Sequence, residues 1–419
     1  MPSLIPFVGW PRPDRAQWRA DLVAGATVAV VAIPQALAYA QLAGVPPYLG
    51  LYAAFVPTML AALFGSSAQL STGPAALTSL LTAASLSTLA ALGSPAWIAL
   101  AALLAIGAGL LQAAAGFARL GRFVERLPAP LMLGFVNAAA LVIALSQLPA
   151  MLGVEVPPGL DVPRAFVALI AGLPRAIPAT AAFGVASLAL LVIARRVRPR
   201  APAALAVTTL GIAASAAIGY EAVGAVVGDL PPGLPLPVRP TVDAAAAVAL
   251  LPAMALIAVV SFVEVASSAR VIATRTGTRW NVDQELVGQG VAKVGAGLFG
   301  AFPVSASFSR SALNLAAGAR SPWASLVCAS LVGIALLFAA QALHHLPKAV
   351  LAAVIVSAVS GLLTPREMLA MPRVSRGDAW IAWITFAATL LTAPRIHYGL
   401  LAGLAAVGLR ALAAKASTR

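Results

Sequence analysis

Apolar runs of about twenty residues, separated by short polar segments, recur along the whole chain. A run of this length crosses the hydrocarbon core of a bilayer as an α-helix. The third and tenth runs are short or interrupted at their starts. The pattern predicts an all-α integral membrane protein with fourteen transmembrane segments. They lie near residues 21–41, 48–64, 73–92, 95–117, 128–152, 177–194, 201–219, 244–269, 284–301, 304–318, 322–343, 346–362, 377–393 and 396–414.

The basic residues between these runs determine the predicted orientation. With the N-terminus in the cytoplasm, Lys and Arg fall in inner segments about four times as often as in outer ones. One segment more or fewer would scramble this alternation. The bias therefore predicts a multi-pass protein of the cell inner (plasma) membrane with both termini in the cytoplasm.

The composition supports a membrane protein and argues against a soluble domain and a nucleic-acid-binding protein. The chain is 61% hydrophobic and 10% charged, whereas a soluble domain is about 25% charged. The net charge of +14 does not indicate nucleic-acid binding, because the basic residues punctuate apolar runs and form no stripe. Cys328 is the one cysteine, and His344, His345 and His397 show no metal-ligand spacing. We therefore expect no disulfide within the chain, no metal and no cofactor.

Each half of the chain has one interruption, and in both halves it falls at the third segment. The two interruptions are "QLSTGPAALTSLL", residues 69–81, and "GAFPVSASFSRSALN", residues 300–314. Fourteen segments divide into seven plus seven, and a repeated odd-numbered half must be inverted, which places a substrate at the midplane between discontinuous helices. Pro74 and Pro303 suit the first turn of a helix. Two half-helices meeting at their N-termini would favour an anion, although ordinary proline-kinked helices would give a similar pattern.

Three ionisable residues, Glu264, Lys293 and Arg310, lie within apolar runs, where an ionisable group requires a partner. An unpaired cation such as Arg310 costs roughly 3 kcal/mol on insertion scales. Arg310 is either an anion ligand, a source of positive potential, or half of a salt bridge to Glu264. Glu264 is the acid that the pattern places deepest in a segment, so we predict that it carries the coupling proton. The alternatives are that Glu264 anchors Arg310 or binds sodium.

Two stretches resemble the sulfate permease (SulP) family, also called solute carrier family 26. The first is "IPQALAYAQLAGVPPYLGLYAAFVPTMLAALFGSSAQLSTGPAALTSLL", residues 33–81, and the second is "NVDQELVGQGVAKVGAGLFGAFPVSASFSRSALN", residues 281–314. The resemblance implies two inverted seven-segment repeats with half-helices 3 and 10. A core domain would take residues 21–120 and 243–343, and a gate domain residues 121–242 and 344–419, after a cytoplasmic segment 1–20. Family members usually carry a cytoplasmic STAS domain after the last segment, and none is expected up to Arg419.

The resemblance also implies a substrate site between segments 1, 3, 8 and 10. Gln35 and Tyr39 share one face of segment 1 and would contact the substrate, although interhelical hydrogen bonds would also explain them. Lys293 stands where many members have Asn, and Ala75 leaves a roomier site than a larger residue would. The helix tips would be formed by Thr72, Pro74, Ala75 and Ala76 and by Ser305, Ala306, Ser307, Phe308, Ser309 and Arg310. Phe308 would be either a wall of the site or plain packing.

These features predict a secondary active transporter of small anions. We expect proton symport of a fumarate-like dicarboxylate or an inorganic anion by an elevator mechanism. The alternative is sodium-coupled or exchange-coupled transport of bicarbonate, sulfate or chloride.

Two rival functions share some of these features. A nucleobase permease has the same fold but carries acids on helices 8 and 10, and the presence of Arg310 in segment 10 argues against it. An anion channel is the second rival. No nucleophile–base pair indicates an enzyme. The expected partners are the anion, a proton or sodium ion and the bilayer, with no nucleic acid and a homodimer left open.

Overall fold

The structure, a computed structural model, describes residues 6–10, 12–124, 128–157, 160–198, 202–231, 233–238, 244–278, 280–393 and 395–417. These residues are mostly helical, and one pair of short strands lies among the helices. The elements in chain order are α1 (Arg15–Ala43), α2 (Tyr48–Phe64), β1 (Thr72–Gly73), α3 (Ala76–Leu86), α4 (Pro95–Phe117), α5 (Gly121–Val124), α6 (Ala129–Leu152), α7 (Val162–Gly172), α8 (Pro178–Val197), α9 (Ala203–Ile218), α10 (Ala244–Thr276), α11 (Val282–Leu298), β2 (Ser305–Ala306), α12 (Phe308–Ala316), α13 (Trp323–Phe338), α14 (Ala340–His344), α15 (Lys348–Val359), α16 (Pro365–Val374), α17 (Arg376–Thr392) and α18 (His397–Ser417).

A helix overlaps each of the fourteen predicted segments, and six of the described helices are long and apolar enough to cross a membrane. The count of fourteen crossings and the inverted relation of the two halves stay predictions. The orientation also stays a prediction. It rests in part on basic residues outside the described part of the chain, namely Arg126, Arg200, Arg239, Arg279 and Arg419. The six helices are Arg15–Ala43, Pro95–Phe117, Ala129–Leu152, Pro178–Val197, Ala244–Thr276 and Lys348–Val374, the last containing the turn that joins α15 to α16.

Capping side chains account for two of the boundaries that differ from the apolar pattern. Helix α1 begins at Arg15, inside the predicted N-terminal segment, because the Asp14 carboxylate accepts the Gln17 N–H at 2.7 Å. The unpredicted helix α7 begins after Asp161, which accepts the Arg164 N–H at 2.8 Å. Capping therefore starts these helices where the hydrophobic pattern alone gives no signal.

The two interruptions pair with each other as strands. Thr72 lies opposite Ala306 and Gly73 opposite Ser305 in an antiparallel ladder. The prediction that Thr72, Ser305 and Ala306 form helix tips is therefore wrong, since α3 begins at Ala76 and α12 at Phe308.

The placement of the two prolines in the first helical turn is also wrong. Pro74 follows β1 and Pro303 precedes β2. A proline has no N–H to donate to a ladder, so it borders a strand more readily than it pairs within one. The prolines therefore delimit the strand pair, and each helix starts after it.

Glycines bring α4 and α11 into direct backbone contact. A Cβ atom on Gly290 would lie 2.5 Å from the Ala113 nitrogen and 2.7 Å from the Gly109 carbonyl oxygen. Small residues allow such close approach between membrane helices. This contact fixes α11 in the core, with Glu285, Gln289 and Lys293 at the four-residue spacing that places them on one helical face.

Candidate functional site

Side-chain hydrogen bonds hold the strand pair rigidly between the helices. The Thr58 hydroxyl donates to the Thr72 carbonyl at 2.8 Å, and the Gln289 amide donates to the Thr72 hydroxyl at 2.7 Å. On the other strand, the Ser307 N–H donates to the Ser71 carbonyl at 2.9 Å. The starts of α3 and α12 are therefore fixed side by side.

The start of α3 offers backbone N–H groups without a side-chain cap. Its cap residue is Ala75, which makes no capping hydrogen bond, and Ala76 is the first helical residue. At α12 the Ser307 hydroxyl accepts the Arg310 N–H at 3.4 Å, a long contact. A free helix N-terminus carries partial positive charge. Pro74, Ala75 and Ala76 are buried, and the methyl side chains of the two alanines add little bulk beside this backbone.

Arg310 is buried against the strand pair, and one nitrogen of its guanidinium has no hydrogen-bond partner among the described residues. Its side chain is 2% exposed, and Nη1 donates to the Gln35 Oε1 atom at 3.2 Å. Nη2 has no hydrogen-bond partner among the described residues. It lies against β1, since a Cβ atom built on Gly73 would be 3.3 Å from it. Buried polar groups are nearly always hydrogen-bonded, so this donor is available to a ligand.

Helix α1 supplies the two predicted residues that face this arginine. Gln35 makes the interhelical hydrogen bond described above, which was the alternative explanation for it. Tyr39, one turn further on, is buried and interacts electrostatically with both Arg310 and Glu264. The structure thus brings both residues to the arginine, and direct substrate contact stays a prediction.

Glu264 on α10 reaches the other strand. Its Oε2 atom accepts the Ser305 hydroxyl at 3.1 Å, and Ser305 also lies 3.2 Å from the Ser261 carbonyl. The expected alternative of a salt bridge between Glu264 and Arg310 is not found in the described structure. The two interact electrostatically at longer range. The carboxylate and the guanidinium are each held by a neutral partner, the carboxylate at β2 and the guanidinium beside β1.

Phe308 and Ser309 occupy the exposed side of the α12 start. Phe308 is 40% exposed, so it is not a buried packing residue, and its role as a wall stays a prediction. Ser309 is also exposed, and its hydroxyl lies 3.2 Å from that of Ser307. Every predicted site residue therefore lies on the strand pair, at a helix start beside it, or on α1 or α10 facing it.

Three α11 residues that support the proposed site, Glu285, Gln289 and Lys293, are not among the residues that the sequence predicts for it. Gln289 joins Thr72 to Glu285, whose Oε1 atom it contacts at 3.0 Å. Lys293 is fully buried, donates to the Gln112 Oε1 atom at 2.7 Å and interacts electrostatically with Glu264. The spacing of four residues from 285 to 289 to 293 was the available signal.

Two further acidic side chains are buried, although the hydrophobic pattern of the sequence predicted only Glu264 deep within a segment. Asp21 accepts the N–H groups of Arg320 at 2.7 Å and Ser321 at 3.1 Å. Glu285 accepts the N–H groups of Ser66 at 2.8 Å and Ser67 at 2.9 Å. Both carboxylates bind loop backbone and have the structural role of a cap, which distinguishes them from Glu264.

A model of the sulfate permease family matches residues 18–385. The chain belongs to the sulfate permease family. One family relative, the Probable sulfate transporter MT1781 of Mycobacterium tuberculosis, is 37% identical over 406 residues, which cover 96% of this chain and 71% of the relative. Sulfate transporter 4.1, chloroplastic, of Arabidopsis thaliana is 35% identical over 412 residues, covering 96% of this chain and 59% of the plant protein. The chain therefore spans less than two thirds of that relative.

The family resemblance extends to the fold. The structure of the murine Solute Carrier 26 family member A9 anion transporter, in the inward-facing state, has a TM-score of 0.90 to this chain at 24% identity, covering 98% of this chain and 71% of that chain. The family model is described as a permease and the Mycobacterium tuberculosis relative as a transporter, which is consistent with the expectation that the chain is not an enzyme.

Proposed function

We propose that the protein is a secondary active transporter of small anions. The observation that carries the proposal is the buried Arg310 Nη2 donor, which has no partner among the described residues and lies beside the paired starts of α3 and α12. A cation buried in a membrane protein is costly unless an anion or other partner approaches it. A small anion at this position would complete the hydrogen bonding of the guanidinium.

The helix starts would contribute to the same ligand. The uncapped N-terminus of α3 offers backbone N–H groups, and α12 begins directly across the strand pair. An oxyanion accepts hydrogen bonds from several directions, so an arginine and two helix N-termini can share it. Gln35 would hold the guanidinium in place, and Tyr39 would line the approach from α1.

The substrate we propose is sulfate or a small dicarboxylate. The relatives in Mycobacterium tuberculosis and Arabidopsis thaliana are both named as sulfate transporters, which favours sulfate. Fumarate offers the same acceptor chemistry in a longer molecule, and the small side chain of Ala75 favours room for it. Bicarbonate and chloride are the competing substrates.

The coupling ion we propose is a proton carried by Glu264. Its one described hydrogen bond from a side chain comes from the neutral Ser305 hydroxyl, and no ion pair holds it in the charged form within the described structure. A carboxyl group in such a site can take up a proton as an anion enters nearby. Sodium coupling and exchange are the alternatives.

The test is uptake into proteoliposomes. Labelled sulfate, fumarate, bicarbonate and chloride are offered separately, with an inward proton gradient, an inward sodium gradient or neither. We expect saturable uptake of sulfate or fumarate that the proton gradient increases and the sodium gradient does not. Dependence on sodium alone would reassign the coupling ion, and an absence of saturable uptake for all four anions would refute the transport proposal.

A further inference from the structure

A cluster of histidines and carboxylates lies away from the anion site, where two connecting segments meet. It comprises Glu221, which follows α9, and His344 and His345, which lie at the end of α14. One ligand atom from each of the three residues can be chosen so that all lie within 4.8 Å of one another. A fourth residue, Asp229, approaches His344 from the same connection as Glu221.

The cluster combines two imidazole groups with one carboxylate, and a second carboxylate lies on the far side of one imidazole ring. The His344 Nε2 atom lies 3.2 Å from the Glu221 Oε2 atom, and the two histidine rings are 4.9 Å apart between centroids. On the other side of the ring, the His344 Nδ1 atom lies 2.9 Å from the Asp229 Oδ1 atom. A histidine that binds a metal usually donates its second ring N–H to a carboxylate, which orients the ring. Asp229 stands in that position.

The backbone beneath the cluster is held rigidly on both sides. Val226 and Pro347 form a β-bridge, and the Gly228 N–H donates to the His344 carbonyl at 3.1 Å. Tyr220, next to Glu221, is fully buried and its hydroxyl lies 2.8 Å from that of Thr180. The ligands therefore come from segments that are 123 residues apart in sequence, between Glu221 and His344, but are fixed to each other by the fold.

We propose that Glu221, His344 and His345 bind a divalent transition metal of the zinc type, with Asp229 orienting His344. Imidazole and carboxylate ligands suit Zn²⁺, and sites with three protein ligands leave the fourth position to water. Ligand atoms of a tetrahedral zinc site are about 3.4 Å apart, given bonds of about 2.1 Å. The contact of Glu221 with His344, at 3.2 Å, is close to this spacing, and the ligand atom of His345 lies within 4.8 Å of the other two, so it would have to move closer when the metal binds.

Protons compete with the metal for His344. The hydrogen bond to Glu221, together with the one to Asp229, raises the pKa of His344 above its ordinary value. Because the metal needs the neutral imidazole, binding is best measured in mildly alkaline buffer, where protons compete least.

The test is calorimetric titration of the purified full chain with Zn²⁺ in detergent, after purification through a tag without histidine. We expect saturable binding of one Zn²⁺ per chain. His345→Ala and Glu221→Gln should each weaken it by at least about tenfold, and Asp229→Asn by roughly tenfold through loss of the orienting carboxylate. The matched control is His397→Ala, which removes a histidine outside the cluster and should leave binding unchanged.

Co²⁺ provides a second readout that does not depend on the stability of the ligand variants. Co²⁺ bound in a tetrahedral nitrogen and oxygen site has strong visible absorption, which the unaltered protein should show and excess Zn²⁺ should abolish. Asp229 is exposed, so Asp229→Asn should fold normally and still show the weaker affinity. Absence of saturable binding by the unaltered protein, or equal binding by all variants, would overturn the proposal and leave the cluster as a set of ion pairs.

Discussion

At the residue scale, the buried guanidinium of Arg310 has two different environments. Nη1 is satisfied by Gln35, whereas Nη2 faces β1 without a partner among the described residues. A purely structural arginine would be expected to have both groups paired, because an unsatisfied buried donor costs about 1–3 kcal/mol. This asymmetry is the reason why we propose that Arg310 binds the anion and does not serve only to hold the fold together.

We predict that Arg310→Ala weakens sulfate or fumarate binding by about 10- to 100-fold, since hydrogen bonds to charged groups contribute about 1.5–3 kcal/mol. Arg310→Lys keeps the charge but has one terminal nitrogen in place of Nη1 and Nη2, so it should show an intermediate loss. Binding is measured by calorimetry and uptake in proteoliposomes. The control is Arg175→Ala, which removes an exposed arginine. Unchanged binding by correctly folded Arg310→Ala would exclude the arginine from the site.

A second residue-scale prediction concerns Glu264. Glu264→Gln keeps the shape of the side chain and can still accept the Ser305 hydroxyl, but it cannot titrate. We expect the variant to bind the anion with nearly unchanged affinity while its uptake no longer responds to a proton gradient. The comparison is Glu367→Gln, an exposed carboxylate on α16. Persistent proton dependence in Glu264→Gln would show that the proton travels on the substrate.

At the element scale, the site depends on how closely α4 and α11 pack. We predict that Gly290→Ala destabilises the protein by about 1–3 kcal/mol, the usual cost of overpacking, because its Cβ atom would lie 2.5 Å from the Ala113 nitrogen. The matched control is Gly408→Ala on α18, where a Cβ atom meets nothing within 4 Å. Thermal unfolding in detergent measures both. Equal stability of the two variants would mean that α4 and α11 do not approach as described.

The elements also show how far the sequence could predict the structure. Apolar runs located the helices because membrane helices must satisfy their backbone within each segment. The strand pair was missed, since two residues per strand carry no periodic signal and Thr72 pairs with Ala306 far along the chain. The sequence singled out Arg310 and Glu264 and left a salt bridge between them as one alternative, whereas folding gives them separate neutral partners.

At the scale of the whole molecule, the proposed transport mechanism requires two bodies that move against each other. Both helices that start at the strand pair, α3 and α12, belong to the predicted core, as do α1 and α10. The strand ladder and the hydrogen bonds of Arg310 to Gln35 and of Ser305 to Glu264 tie these elements together, so we expect the two halves of the proposed anion site to move as one unit. Access to the site would then change only if the whole core moves relative to the predicted gate.

We predict that a covalent link between core and gate stops uptake, whereas a link within the core does not. Gln41 on α1 lies 3.5 Å, through its Nε2 atom, from the Lys348 carbonyl at the start of α15, so Gln41→Cys with Lys348→Cys joins the two predicted domains. The matched control is Ser66→Cys with Asn281→Cys, which joins two segments of the core that are already hydrogen-bonded at 2.8 Å. Each pair is treated with a short bifunctional methanethiosulfonate reagent, which joins the two thiols through disulfides, and uptake in proteoliposomes is measured before treatment, after it and after a thiol reductant has cleaved those disulfides. We expect uptake by the first pair to fall to background and to recover on reduction, with the second pair unaffected. Normal uptake by a fully linked core and gate would exclude the elevator mechanism while leaving the anion site in place.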